Sequence, residues 1–157
     1  MTLKHLNILL ADDDTDDCIF FKKALRDIQL QATLTTVNDG EQLMEYLHAS
    51  ITKTSNRSSL PDILFLDLNM PRKNGFECLS EIKLNDNLKQ LPIIIFSTSF
   101  EQEVVNQLYI NGAQHFIRKP ADFGQFKKII QQSLILIANE NTEQPSRDGF
   151  VLTVQNN

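Results

Sequence analysis

We predict an α/β fold for this chain: a doubly wound parallel sheet of five strands with five helices on its two faces. Short apolar runs alternate along the chain with segments of helical periodicity, and repeated strand-then-helix units are typical of parallel sheets. The third apolar run, ILFL at 63–66, has no polar residue, as expected for a strand that is covered on both faces. The length of 157 residues, with 41% hydrophobic and 22% charged residues, fits one domain of ordinary size.

The predicted elements form strand–helix units. In chain order, the strands are placed at 6–11, 33–37, 62–66, 93–96 and 115–118, and the helices at 15–28, 41–49, 75–84, 101–110 and 123–138. The first and second helices each follow an acidic cap, Asp14 and Asp39, whose carboxylate suits the positive end of a helix. The second strand is supported by its β-branched residues. The polar stretch 51–61 ends in proline and is interpreted as an exposed loop.

In the second half, each element again has a local signal. The third helix begins after a loop at 69–74, and the fourth ends at Asn111-Gly112, a favourable C-cap pair. The fifth strand stops before Lys119-Pro120, because proline cannot donate to a strand ladder. The last helix carries an apolar stripe that includes Phe126 and Leu134.

The C-terminal segment 139–157 is predicted to be a tail outside the domain at 5–138. It is polar at first and then contains a β-prone patch at 150–154. Two interpretations remain open: a disordered tail, or a strand or arm that packs on the domain or on a neighbouring subunit.

Charge and composition exclude several classes of function. The net charge is −5 and the sequence pI is about 5.1, so general electrostatic binding to DNA is disfavoured. No stretch has the roughly 18 apolar residues that a membrane span needs, and the N-terminal apolar run is interpreted as a strand rather than a signal peptide. Cys18 and Cys78 are too few for a disulfide framework and are interpreted as buried thiols. We therefore expect a cytoplasmic protein.

Reactive side chains follow four of the predicted strands. Asp12 and Asp13 follow the first strand, Asp67 the third, Ser97 the fourth and Lys119 the fifth. Because the carboxyl ends of parallel strands meet at one edge of a sheet, these groups are expected to converge. Clustered carboxylates repel one another, and a hard cation such as Mg²⁺ relieves that repulsion and bridges readily to phosphate. The set predicts an aspartyl nucleophile for phosphoryl transfer, with a lysine that pairs with phosphoryl oxygens.

The chain resembles the receiver domain of two-component response regulators over residues 5–138. Four segments carry the resemblance: ILLADDD at 8–14, DILFLDLNMPRKNG at 62–75, PIIIFSTS at 92–99 and FIRKP at 116–120. The resemblance implies a flavodoxin-like strand order, 2-1-3-4-5. It further implies that Asp67 accepts a phosphoryl group, that Ser97 is a switch hydroxyl and that Lys119 pairs with the phosphoryl group.

The resemblance also implies a metal site and a switch. Mg²⁺ would be held by Asp13, by Asp67 and by the backbone carbonyl of Asn69, with Asp12 acting through a water or as a second acid. Phe116 stands at the position of the family's switch aromatic, but it lacks a phenolic hydroxyl. The family pattern also implies a loop shaped by Met70, Pro71 and Gly75 and a cis peptide bond before Pro120.

The implied partners follow from the same resemblance. A sensor histidine kinase would supply the phosphoryl group, and the long loop at 51–61 resembles that of stand-alone regulators paired with bacterial phytochrome kinases. Output would pass through the fourth helix, fifth strand and fifth helix, by binding an unidentified downstream protein or by homodimerisation. No DNA-binding domain follows Ala138, so DNA is not an expected partner. Chemistry would be limited to phosphorylation and dephosphorylation of Asp67 itself.

Several alternatives stay open at the level of sequence. Asp16 and Asp17, with the acids before them, are also what an acid-rich helix start contains. Asp12 and Asp14 have the Asp-x-Asp spacing of a Mg²⁺ phosphohydrolase with an aspartyl nucleophile. A receiver fold that only binds partners is a further alternative, whereas a nucleotide binder would need a glycine-rich loop after the first strand, which is missing.

The remaining candidates have ordinary interpretations. The histidines, His5, His48 and His115, show no metal-ligand spacing and are expected to be surface or edge residues. Arg72 and Lys73 are close to Asp67 in sequence and could tune the phosphoryl lifetime, but a solvated loop is the favoured interpretation.

Overall fold

The computed structural model describes residues 5–52, 60–139 and 143–154. Most of the predicted loop at 51–61 therefore lies outside the described residues. The strands are β1 (Leu6–Ala11), β2 (Ala32–Val37), β3 (Ile63–Leu66), β4 (Ile93–Ser97), β5 (His115–Arg118) and β6 (Val151–Leu152), and the helices are α1 (Thr15–Ile28), α2 (Gly40–Thr52), α3 (Gly75–Leu84), α4 (Gln102–Ile110) and α5 (Phe123–Asn139).

The sheet is wholly parallel, in the order β2-β1-β3-β4-β5-β6. The predicted order of the first five strands is thus confirmed, and the predicted number of strands is one too few. Alternate residues of β1 point to opposite faces, as strand geometry requires. Leu9 belongs to one core with residues of α2, α3 and α4, whereas Ile8 belongs to a second core with residues of α1 and α5. The sheet is therefore covered on both sides, as a doubly wound fold demands.

The helix starts explain why the caps were readable from sequence. The side chain of Asp14 accepts hydrogen bonds from the backbone amides of Asp16 and Asp17, and Asp39 accepts one from the amide of Gln42 at 2.8 Å. Helix α2 continues to Thr52, three residues beyond its predicted end. Within this last turn, the hydroxyl of Thr52 donates to the carbonyl of His48.

The sixth strand comes from the segment that was predicted to be a tail. Val151 and Leu152 pair with Phe116 and Ile117 of β5, after a 3₁₀ turn at Arg147–Gly149. Phe150 is fully buried in the core on the α2–α4 side. The arm interpretation therefore describes residues 143–154, because one buried aromatic and a short backbone ladder fix the segment to the domain. The boundary at 138 itself stays a prediction.

The structure also bears on the peptide bond before Pro120 and on the two cysteines. The predicted cis bond before Pro120 is wrong, because the described residues contain no cis peptide bond; trans is the ordinary state even before proline. Cys78 is buried and Cys18 half-buried, both as free thiols. None of the helices in the described part of the chain is long and apolar enough to cross a membrane.

Candidate functional site

The backbone brings four strand ends to one edge of the sheet. The amide of Asp67 donates to the carbonyl of Ala11 at 3.0 Å, and the amide of Lys119 donates to the carbonyl of Ser97 at 2.8 Å. These bonds continue the β1–β3 and β4–β5 ladders by one residue beyond the strands. The side chains that follow β1, β3 and β5 are therefore held in fixed register, as expected from the sequence.

Three carboxylates lie together at this edge. Asp12, Asp13 and Asp67 each offer an oxygen within 4.8 Å of the others. Asp12 is 0% exposed and Asp67 6% exposed, whereas Asp13 faces solvent. Clustered carboxylate oxygens that are open to solvent on one side suit a hard divalent cation, because such a cation keeps some of its bound water. The donor set therefore fits the predicted metal, and the carbonyl role of Asn69 stays a prediction.

Burial makes the charged state of the acids costly. It raises the pKa of Asp67 to about 7, because the ionised carboxylate loses water, and the Lys119 charge offsets only part of this rise. Burial also raises the pKa of Asp12, although the hydrogen bond from Lys119 opposes that shift. A bound divalent cation would reverse both effects by stabilising the ionised carboxylates.

Lys119 reaches into the cluster from β5. Its Nζ lies 2.8 Å from Oδ2 of Asp12 and 3.6 Å from Oδ2 of Asp67, and 5.4 Å from the ring centroid of Phe96. Burial by itself would lower the pKa of Lys119, but hydrogen bonds from its ammonium to Asp12 and Asp17 raise the pKa above its usual range. The ammonium is therefore a permanent positive charge beside the predicted acceptor.

Asp17 is the site residue that sequence reasoning missed. Its Oδ2 lies 2.8 Å from Nζ of Lys119, although its position in the sequence indicates only an acidic helix start. The sequence did contain a signal for placing Asp17 at the site, because the first turn of a helix that follows β1 lies at the carboxyl edge of the sheet. The distance in sequence between Asp17 and Lys119 concealed the contact.

Two of the three residues that the family pattern implied for the loop after Asp67, Met70 and Gly75, have defined contacts. The amide of Gly75 donates to the carbonyl of Leu68 at 3.0 Å, and the side chain of Met70 is buried. A Cβ at position 75 would lie 2.4 Å from the carbonyl oxygen of Asp67, so only glycine fits. Arg72, with φ of 69°, has its Nε 3.6 Å from Oδ2 of Asp39.

Ser97 and Phe116 lie on adjacent strands, β4 and β5. Ser97 is fully buried, and its Oγ lies 3.3 Å from Oγ of Ser99. Phe116 is also fully buried, and its ring meets that of Phe100 edge-on with centroids 5.7 Å apart. The predicted switch residues are thus on neighbouring strands, with the aromatic in its inward state.

The remaining candidates are the three histidines and Lys73. His5 and His48 are exposed, as expected, but His115 is buried, with its Nδ1 3.1 Å from the carbonyl oxygen of Phe150. The expectation of a surface or edge position is therefore wrong for His115, because β6 pairs with β5 and removes it from the edge of the sheet. Lys73 pairs with Glu81 of α3.

Comparison with known proteins gives a consistent result. A profile of the response regulator receiver domain matches residues 8–131. Response regulator Rcp1 of Synechocystis is 29% identical over 124 residues, which are 79% of this chain and 83% of Rcp1.

Solved structures agree with the sequence matches. The phosphorylated cyanobacterial phytochrome response regulator RcpA is 31% identical, with a TM-score of 0.77 over 87% of this chain and 96% of RcpA. The Mn²⁺-bound form of Rcp1 is 26% identical, with a TM-score of 0.74 over 90% of this chain and 99% of that one. With acids, lysine and hydroxyl at the strand ends where the family pattern expects them, this chain belongs to the response regulator receiver domain family of two-component signalling.

Proposed function

We propose that Asp67 accepts a phosphoryl group from a phosphohistidine of a sensor histidine kinase, and that Mg²⁺ is the metal used. The observation that carries the proposal is the close grouping of Asp12, Asp13 and Asp67, with the Lys119 ammonium 3.6 Å from the Asp67 carboxylate. Nucleophile, metal ligands and a fixed positive charge thus share one pocket.

The residues of this chain have distinct roles in the transfer. An oxygen of Asp67 attacks phosphorus, the bond from phosphorus to the histidine nitrogen breaks, and the imidazole keeps the electron pair and takes a proton from solvent. Lys119 pairs with the anionic phosphoryl oxygens. Mg²⁺, held by Asp13, Asp67 and the carbonyl of Asn69 with Asp12 as a second acid, would supply charge stabilisation for the same oxygens.

Asp14 supports a signalling module over a phosphohydrolase. A hydrolase with an aspartyl nucleophile would need the second acid of the Asp-x-Asp pair to move protons. The carboxylate of Asp14 instead accepts hydrogen bonds from the amides of Asp16 and Asp17 as the cap of α1. We therefore propose that turnover is limited to phosphorylation of Asp67 and hydrolysis of its own phosphoryl group.

Signal output is proposed to begin at Ser97. A phosphoryl group on Asp67 attracts the Ser97 hydroxyl, and Phe116 repacks behind it, which biases the surface formed by α4, β5 and α5. That surface would bind a downstream protein or a second copy of the chain. Light scattering with and without phosphorylation tests homodimerisation: a dimer that forms only after phosphorylation assigns the surface to a second copy, whereas a monomer in both states excludes homodimerisation as the output.

The partner kinase is proposed to be of the phytochrome type. The similarity to Rcp1 and to the phytochrome response regulator RcpA supports this choice. Transfer of the phosphoryl group from the phosphohistidine of such a kinase to Asp67 would take place in the cytoplasm. The net charge of −5 disfavours DNA as a direct target.

Intact mass tests the acceptor. After treatment with acetyl phosphate and Mg²⁺, the wild type is expected to gain one phosphoryl group, and Asp67→Asn none. Asp62→Asn is the matched control, because Asp62 lies at the opposite end of β3, where its carboxylate accepts from the amide of Asn7. Labelling of Asp67→Asn at the wild-type level would exclude Asp67 as the acceptor.

A further inference from the structure

Lys119 has three acidic neighbours, and one of them lies outside the proposed acceptor and metal set. Its Nζ makes hydrogen bonds of 2.8 Å to Oδ2 of Asp12 and of 2.8 Å to Oδ2 of Asp17. The distance to Oδ2 of Asp67 is 3.6 Å, which is longer than a hydrogen bond. Asp17 therefore shares the ammonium with Asp12 while the acceptor carboxylate makes only the longer contact.

The contact between Asp17 and Lys119 is shielded from water. The Lys119 side chain is 5% exposed and that of Asp17 is 19% exposed. An ion pair at this depth is screened less than a surface pair, so its charges interact more strongly. Asp16, the preceding residue of the same helix, is exposed to solvent and so provides a comparison of equal charge.

We infer that Asp17 is a positioning residue that competes with the phosphoryl group of Asp67 for the ammonium of Lys119. This inference rests on the proposed acceptor role of Asp67. An ammonium has three N–H donors, and hydrogen bonds to Asp12 and Asp17 occupy two of them. The third donor stays available, but these two bonds hold Nζ 3.6 Å from Oδ2 of Asp67, so a movement of Lys119 toward a phosphoryl group there would lengthen its bond to Asp17.

The competition has a defined consequence for signalling. It stabilises the resting state relative to the phosphorylated state, because the Asp17–Lys119 bond is strongest when Asp67 carries no phosphoryl group. Loss of the Asp17 charge should therefore favour binding of a tetrahedral anion at Asp67. Asp17 would in this way set part of the phosphorylation equilibrium without touching the reacting atoms.

Binding of beryllofluoride in the presence of Mg²⁺ tests the inference, because this anion adds to an aspartate carboxylate in place of a phosphoryl group. Asp17→Asn is expected to bind it about 3- to 10-fold more tightly than the wild type, the range of a partly buried ion pair. Asp17→Glu, which keeps the charge, should restore the wild-type affinity. Asp16→Asn, the matched control, should change it by less than about twofold because its charge is solvated.

Fluorine NMR of the same complexes separates positioning from a structural effect. In Asp17→Asn the resonance of the fluoride nearest the Lys119 ammonium should shift, whereas the other resonances of the bound anion should not. A general loosening of α1 would broaden or shift all of them together. Unchanged fluorine resonances in Asp17→Asn would overturn the inference.

A metal-free measurement gives an independent test. In EDTA, urea unfolding of the wild type, Asp17→Asn, Lys119→Gln and the double variant forms a cycle. The two substitutions are expected to be non-additive by about fivefold or more in the unfolding equilibrium constant, since the side chains are in direct contact. Additive effects would contradict the pairing on which the inference depends.

Failure of the inference about Asp17 can be distinguished from failure of the proposed function. If the wild type binds beryllofluoride and Asp17→Asn binds it equally well or less tightly, the inference is overturned and Asp67 remains the acceptor. If the wild type and Asp16→Asn both bind none and take no phosphoryl group from acetyl phosphate, the proposed function fails, and the inference fails with it.

Discussion

At the scale of single residues, the pocket is an unbalanced set of charges. Asp12 and Asp67 are buried, and Asp13 and Asp17 lie beside them, but Lys119 is the one cation that the described structure places within hydrogen-bond distance of this group. Buried carboxylates without sufficient compensating charge favour the protonated state. With no metal bound, the ionised carboxylates of this pocket therefore lower the free energy of unfolding.

The pH dependence of stability follows from Asp67. Because its pKa is raised from 3.8 to about 7 in the folded chain, the folded state binds more protons than the unfolded state between these values. The contribution of Asp67 to stability is then fully present below pH 3.8 and is lost as pH rises to about 7.

Asp67→Asn removes the loss of stability that ionisation of Asp67 causes at high pH. In EDTA at pH 8 we expect the variant to be more stable than the wild type by about 2 kcal/mol, with a smaller difference at pH 4. Urea unfolding at the two pH values measures this, with Asp86→Asn as an exposed control. A variant less stable than the wild type at pH 8 would show that the Lys119 pair outweighs the burial cost.

At the scale of elements, the segment 143–154 fastens α4 to β5. The hydroxyl of Tyr109 in α4 donates to the carbonyl of Pro145 at 2.8 Å, and the side-chain amide of Gln144 donates to the carbonyls of Tyr109 and Ala113. The Phe150 ring lies edge-on to Tyr109, with centroids 5.1 Å apart. The segment is therefore part of the surface that we propose for output.

Phe150→Ala should destabilise the protein by about 3–5 kcal/mol, because it empties a fully buried aromatic site. The free energy of unfolding in urea measures the effect. Ile135→Ala is the control on α5, where the side chain is 44% exposed, and should cost less than about 1 kcal/mol. A loss at position 150 no larger than the control's would mean that the segment adds little to the stability of the domain.

At the scale of the whole molecule, the parallel sheet is what concentrates the chemistry. Each βα crossover returns the chain to the same end of the sheet, so β1, β3, β4 and β5 finish side by side. The rigid cores on both faces then hold the strand ends in place. A cation bound at that edge contacts residues from separate strands and should stabilise the fold as a unit.

Mg²⁺ is therefore expected to raise the melting temperature at pH 8. At a concentration of about 100 times its Kd, a ligand that binds only the folded state adds about 2.7 kcal/mol to the free energy of unfolding. Asp13→Asn should lose most of this gain, whereas Asp16→Asn should keep it. Equal stabilisation of both variants by Mg²⁺ would place the metal away from Asp13.

The limits of sequence-based prediction are visible in particular residues. The first five strands were predictable because each is a short run rich in apolar or β-branched residues and is followed by a polar residue. Strand β6 was only one of two open interpretations of the β-prone patch at 150–154, because a two-residue strand has no periodicity and its position depends on the burial of Phe150. The burial of His115 depends on the same strand.

The amino-acid sequence by itself determined the α/β class, the strand order through family resemblance, and the side chains that directly follow the strands at the carboxyl edge, because alternation and strand-end chemistry are local patterns. Only the tertiary structure decided which carboxylates the Lys119 ammonium binds. Its hydrogen bonds to Asp12 and Asp17 span 107 and 102 residues of chain, so they depend on how α1 and β5 pack across the sheet. No local pattern encodes that packing distance.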